Sequence, residues 1–264
     1  MKSIGPTVFV LALACGATDP GQLEPGGHHV LFVGNSLTYT NDLPGTLVKV
    51  AESGGDTIRV ASAVGPNLGL IDHLNGATRA VEMIAQGGWE YVILQQGPTT
   101  IGICRDSLVL WTQMFNDHIR AVNAVPALLM TWPATSRLEF FDEARISYQT
   151  AARAVDGAFW PAGEAWRLAR AADPNVGVYG PDGFHPSPVG TFLAALEIYE
   201  RITGKDARQL PARAFAGGAP LDLPEPTIRL LQNAAHAANQ AFPARGAGPM
   251  PATKAPATAT AAQC

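Results

Sequence analysis

Short apolar runs, rich in β-branched residues, alternate with longer amphipathic stretches through the middle of the chain. "HVLFVGNS" (29–36), "TIRVASAV" (57–64), "YVILQQ" (91–96) and "PALLMTWP" (126–133) read as strands, and "GAFWPAG" (157–163) as a fifth, weaker one. Helical spacing fits residues 43–53, 105–123, 139–155 and 188–203, and "EPTIRLLQNAAHAANQAF" (225–242) adds a last helix on the outside. Strands apolar on both faces and separated by helices imply a parallel sheet covered on both sides. The expectation is one α/β domain over residues 28–242, a three-layer α/β/α arrangement around a central, mostly parallel five-stranded sheet. No internal repeat is visible.

The two ends read differently. Residues 1–14 carry a lone Lys2 and an apolar stretch from Val8 to Ala14, which is how a secretory signal peptide reads. The stretch is too short to span a bilayer. "LALAC" resembles a bacterial lipoprotein box, which makes Cys15 the candidate lipidation site and a lipid anchor the one expected contact with a membrane. Residues 15–27 are Gly- and Pro-rich and fit a linker, and residues 243–264 form an Ala/Pro/Thr low-complexity tail. The expected location is therefore the cell envelope, or the exterior if the protein is secreted without lipid.

Charge narrows the partners. A formal net charge of -4, with no run of Lys or Arg, gives no electrostatic footprint for a polyanion and argues against nucleic acid. The three cysteines, Cys15, Cys104 and Cys264, make no disulfide framework, although the last two are free to pair if the first carries lipid. No CxxC or HExxH pattern offers a metal site.

Candidate chemistry begins at Ser36, which follows the first strand at its carboxyl end, where open α/β sheets gather ligands. A serine there also serves as an ordinary helix cap. The second piece is "YGPDGFHPSPVG" (179–190), in which Asp182 and His185 stand three residues apart in a tight loop. A hydroxyl needs a base to become a nucleophile, and an imidazole serves best when a carboxylate fixes its tautomer. An Asp–His pair in a turn is equally compatible with a plain loop contact. Ser187 and Pro188 suit the cap and first position of the helix that follows.

"VGNSLT" resembles the first block of the SGNH (GDSL-like) hydrolases, with Asn35 in place of the usual Asp and Ser36 as nucleophile. "DGFH" resembles their terminal Asp-x-x-His block, Asp182 and His185. The resemblance spans about residues 29–204 and implies a flavodoxin-like fold, hydrolysis of carboxylic esters through an acyl-enzyme, and no cofactor. For the oxyanion hole it suggests the Ser36 backbone N–H and Gly65 of "ASAVGPNLGL", which is similar to the second block. The usual Gly-x-Asn-Asp block is replaced by "VILQQGPTT", similar to branches whose third block bears glutamine. A glutamine carboxamide has the same N–H group as asparagine, so Gln95 or Gln96 is the expected third donor, with Gln95 favoured by its place in that block. Trp132, at the end of the fourth strand, is a candidate substrate contact. The implied substrate is a small-molecule or glycan ester, first a carbohydrate O-acetyl group and second a lipid ester. A non-catalytic module binding glycan or protein on the same fold stays open, and the G-x-S-x-G elbow of α/β-hydrolases is absent.

Overall fold

A computed structural model describes residues 26–99 and 102–243. The expected signal peptide, Cys15, nearly all of the linker and nearly all of the tail lie outside the described residues. The elements run in the order β1 (His28–Gly34), α1 (Ser36–Tyr39), α2 (Leu43–Ser53), β2 (Ile58–Val64), α3 (Leu70–Leu74), α4 (Ala80–Ala85), β3 (Tyr91–Leu94) and α5 (Gly102–Ala121). There follow β4 (Val125–Leu129), α6 (Phe141–Ala154), β5 (Ala158–Trp160), α7 (Ala162–Ala172), α8 (Pro188–Thr203), β6 (Ala214–Ala216), β7 (Ala219–Leu221) and α9 (Glu225–Ala241).

The first five strands form one parallel sheet in the order β2-β1-β3-β4-β5. Val30, Leu31, Phe32 and Val33 of β1 are fully buried, as are Val92, Ile93 and Leu94 of β3. Burying side chains of this kind contributes roughly 1.5–3 kcal/mol each, and burial at consecutive positions, which point to opposite faces, requires cover on both. Helices α5 and α6 pack together on one face with α3 and α4, while α2, α7, α8 and α9 pack on one another across the other. β2, at the sheet edge, is the least buried of the five, with only Ile58 and Ala63 of its residues buried.

Every central strand stops short of its apolar run. β1 ends at Gly34, β3 at Leu94 and β4 at Leu129. That leaves Asn35 and Ser36, Gln95 and Gln96, and Met130 to Pro133 beyond the carboxyl edge of the sheet.

The short helices α1, α3 and α4, helix α7 and the β6–β7 hairpin were invisible in the hydrophobic pattern. Helix α7 follows "PAG", which reads as a breaker, yet Pro161 occupies the cap position. Gly163 there lies so close to the Thr131 carbonyl that an added Cβ would come within 2.4 Å of it. The β6–β7 hairpin has strands of only three residues, too short to show a period of two, and turns at Gly217 and Gly218, both at positive φ.

Candidate active site

Two loops meet at the carboxyl edge of the sheet. Asn35 caps α1 by accepting the Leu37 N–H on its Oδ1 at 3.1 Å, and this places Ser36 at the first helical position. The Ser36 N–H has no acceptor among the described residues, as expected for the first turn of a helix. On the other side, Ser187 caps α8 by accepting the Gly190 N–H at 3.1 Å, and its hydroxyl donates to the Gly177 carbonyl at 2.6 Å. The intervening loop is closed by Gly180 N–H to the His185 carbonyl at 2.8 Å and Gly183 N–H to the Gly180 carbonyl at 3.0 Å. Gly183 sits at φ +69, a left-handed turn position that suits glycine.

The result is a relay of three side chains. His185 Nε2 lies 2.8 Å from Ser36 Oγ, and His185 Nδ1 lies 2.5 Å from Asp182 Oδ2. Asp182 Oδ1 accepts the backbone N–H groups of Phe184 at 3.0 Å and His185 at 2.9 Å. The hydrogen bond from the His185 ring, followed by the Phe184 N–H, holds the Asp182 carboxyl down at about 2. An ionised carboxylate only accepts, so Nδ1 carries the imidazole proton and the Nε2 lone pair faces the serine hydroxyl.

This shift has a pH consequence of known sign. A depressed carboxyl stabilises the fold above its ordinary value of 3.8, and that stabilisation disappears as pH falls through about 2. Thermal unfolding followed between pH 5 and pH 2 is expected to lose stability more steeply in the wild type than in Asp182→Asn. The difference is small, because water screens an exposed pair. Equal slopes would show that the carboxylate does not support the loop.

The two glutamines divide the work in a way that reverses the sequence preference. The Gln95 carboxamide is fully used: Oε1 accepts the Asn35 N–H at 2.9 Å and the Thr38 hydroxyl at 2.8 Å, while Nε2 donates to Asn35 Oδ1 at 3.0 Å and to the Gln96 carbonyl at 2.5 Å. It braces the Ser36 turn and has no N–H left to donate. Gln96 turns its Oε1 to the Leu70 N–H at 3.0 Å, leaving a buried Nε2 with no partner among the described residues. An unpaired buried amide costs roughly 1–3 kcal/mol, which a ligand oxygen would relieve. Gln96 borders a cleft of about 410 Å³ beside Ser36, also lined by Asn35, Leu68, Gly69 and Phe184.

Two further expectations differ from what is found. Gly65 directs its N–H to the Gly34 carbonyl at 3.3 Å, continuing the β1–β2 ladder, so it does not point into the cleft. Trp132 is buried at 3% exposure, stacks on Trp166 with ring centroids 3.4 Å apart, and donates its indole N–H to the Phe184 carbonyl at 3.0 Å. It fastens the histidine loop from behind and does not line the cleft. Trp132→Phe keeps an aromatic ring but deletes the donor, and is expected to lower stability by about 1–3 kcal/mol in urea unfolding. An unchanged midpoint would show that the bond is not a fastener.

Other supports come from residues that no motif marks. Tyr148 of α6 accepts the Gln96 N–H at 3.1 Å, and its hydroxyl hydrogen lies between the carbonyls of Gln96 at 2.7 Å and Gly97 at 2.9 Å. Burial pushes that phenol up to about 12, so it stays a donor. Tyr179 donates to the Pro133 carbonyl at 2.7 Å and packs edge-on against Trp166.

Among the described residues, the group able to hold a metal lies elsewhere. Glu200, Asp206 and His236 bring ligand atoms within 4.8 Å of one another, toward the end of α8 that lies roughly 18 Å from its start. Their atoms are already engaged: His236 Nδ1 is 2.9 Å from Glu200 Oε1 and 3.3 Å from Asp206 Oδ1, Arg208 grips Asp206, and the Ala207 N–H binds Glu200 Oε2 at 3.0 Å. The cluster joins α8 to α9.

No protein-family model and no curated protein matches the sequence. Solved structures do match. A DUF4886 family protein from Bacteroides uniformis superposes with a TM-score of 0.66 at 19% identity, covering 82% of this chain and 95% of that one. A candidate SGNH hydrolase from Slackia heliotrinireducens gives 0.54 at 24% identity, covering 66% and 98%. A catalytic mutant of an acetylxylan esterase from Geobacillus stearothermophilus gives 0.52 at 13% identity, covering 70% and 97%. With its β2-β1-β3-β4-β5 parallel sheet between two helical layers, the chain has the fold of the SGNH (GDSL-like) hydrolases.

Proposed function

We propose that the chain is a serine esterase. The observation that carries this reading is the continuous relay from Ser36 Oγ through the His185 ring to Asp182, at 2.8 Å and 2.5 Å. His185 Nε2 takes the hydroxyl proton as Ser36 Oγ attacks the ester carbonyl carbon, and Asp182 steadies the imidazolium that forms. The carbonyl oxygen, now negative, is held by the Ser36 N–H and the unpartnered Gln96 Nε2. His185 returns its proton to the departing alcohol. A water deprotonated by the same nitrogen then adds to the acyl-enzyme, and collapse of the second tetrahedral intermediate frees the acid and Ser36.

For substrate we propose a short acyl ester on a carbohydrate. Two observations bear on it. The cleft beside Ser36, about 410 Å³ and walled by Gln96, Leu68 and Phe184, has the size of a small-molecule site and room for a sugar together with its acyl group. A solved structure of the same fold is an acetylxylan esterase by name.

A p-nitrophenyl ester series from acetate to octanoate tests both levels, with Ser36→Ala as control. Turnover falling as the acyl chain lengthens is expected. Turnover rising with length would replace the carbohydrate ester by a lipid ester, and no turnover at any length would favour a non-catalytic binding module.

A further inference from the structure

Ser36 and His185 are 149 residues apart in the chain, so their separation must be set by contacts and not by connectivity. Among the described residues, the side-chain hydrogen bonds joining residues 34–43 to residues 177–191 are few. They are the Ser36–His185 contact itself, Asn41 Nδ2 to the Pro186 carbonyl at 2.8 Å, Asn41 Nδ2 to Thr191 Oγ1 at 3.1 Å, and Thr191 Oγ1 to the Thr40 carbonyl at 3.5 Å. Pro186 directly follows His185, and Thr191 is buried on α8 at 1% exposure. Apart from the Ser36–His185 contact, the two shortest ties use one carboxamide.

The backbone at that carboxamide is unusual. Asn41 has φ +56 and Asp42 φ +50, two adjacent non-glycine residues in the left-handed region. Such conformations persist where surrounding contacts fix them, and Asn and Asp enter the region most readily. Here the fixing contacts are plain: the Asn41 carbonyl accepts the Gly217 N–H of the β6–β7 turn at 2.9 Å, and Asp42 Oδ1 accepts the Gly45 N–H at 3.0 Å to cap α2.

We infer that Asn41 is a positioning residue: its left-handed backbone aims the carboxamide so that the turn after the nucleophile helix is tied to the carbonyl after His185, and this tie sets the Ser36–His185 hydrogen bond. Asn41 acts through Pro186 and is not among the relay or oxyanion groups. The kinetic consequence rests on the esterase reading, and the geometric consequence does not.

Two variants separate the amide from the backbone conformation. Asn41→Gly enters the left-handed region without strain and deletes both donors, and Asn41→Asp keeps the size and the turn preference but has no N–H to give Pro186. Asn41→Gly is expected to unfold at close to the wild-type temperature, because relief of the left-handed conformation offsets the lost bonds, whereas Asn41→Asp, whose carboxylate faces the Pro186 carbonyl, is expected to unfold lower. Both are expected to lower kcat for p-nitrophenyl acetate about 10- to 100-fold with little change in KM, since misplacement by about 1 Å costs on that order. Labelling of Ser36 by a fluorophosphonate is expected to slow in parallel, and a crystal structure of Asn41→Gly to show Ser36 Oγ and His185 Nε2 no longer within hydrogen-bonding distance. A purely structural role would lower the unfolding temperature of Asn41→Gly and leave kcat alone, and would overturn the inference. Should the wild type neither turn over esters nor label, the esterase reading fails by itself. The Asn41→Gly crystal structure still decides the positioning role, because a Ser36–His185 contact kept at its wild-type length refutes it.

Discussion

Ser36→Ala is expected to lower kcat for ester hydrolysis by at least about 10³-fold while leaving the fold intact. Among the described residues the side chain of Ser36 makes one hydrogen bond, to His185 Nε2, and it stands at the first position of a short helix, where alanine is well tolerated. Unfolding temperature should therefore stay close to that of the wild type. His185→Ala should cost as much, and the double variant little more than either, because the two groups act as one unit. Additive losses would mean that serine and histidine serve separate purposes.

The second large effect separates the two glutamines. Gln96→Ala removes a buried carboxamide N–H group at the site that has no partner among the described residues, and loss of an oxyanion donor typically costs 10²–10³ in kcat, about 2.7–4 kcal/mol of barrier. KM should change little, since the bond forms to the developing negative charge and not to the ester in its ground state. Stability should change little as well: losing the Leu70 N–H acceptor is offset by removing an unpaired buried donor. Gln95→Leu should behave in the opposite way. It strands the Asn35 N–H and the Thr38 hydroxyl in a buried pocket and leaves Asn35 Oδ1 with the Leu37 N–H alone, and each orphaned group costs roughly 1–3 kcal/mol. The variant should lose most of its stability and its activity with it. Kinetics paired with urea unfolding on both variants decides the assignment; a stable, inactive Gln95→Leu beside an active Gln96→Ala would reverse it.

The layered fold was legible because its information is one-dimensional. Runs such as "LFV" and "VIL" are buried on both faces, and that requires a covered parallel sheet whatever else the chain does. Ser36, Asp182 and His185 were legible because each stands in a short stretch whose spacing carries chemical meaning. What the chain concealed was direction. β-Alternation says that Gln95 and Gln96 point apart, but which one meets Asn35 depends on where β3 stops, at Leu94, and on the Leu70 N–H arriving from another element. Gly65 looked like a donor because a glycine follows β2, yet the β1–β2 ladder runs one bond further and takes its N–H. Trp132 looked like a pocket wall because an indole ends β4; its partner, Trp166, belongs to a helix that the "PAG" breaker concealed. Asn41 and Tyr148 act through backbone carbonyls of loops far away in sequence, and no local pattern encodes such a partner.

Incubation of the full chain with a fluorophosphonate, followed by peptide mass spectrometry, addresses the serine relay most directly. Such a probe reacts with a serine hydroxyl only when a base activates it and an oxyanion site receives its phosphoryl oxygen. Stoichiometric modification at Ser36, abolished in His185→Ala, is the expected result. Modification at another serine, or none at Ser36 in the folded wild type, would contradict it.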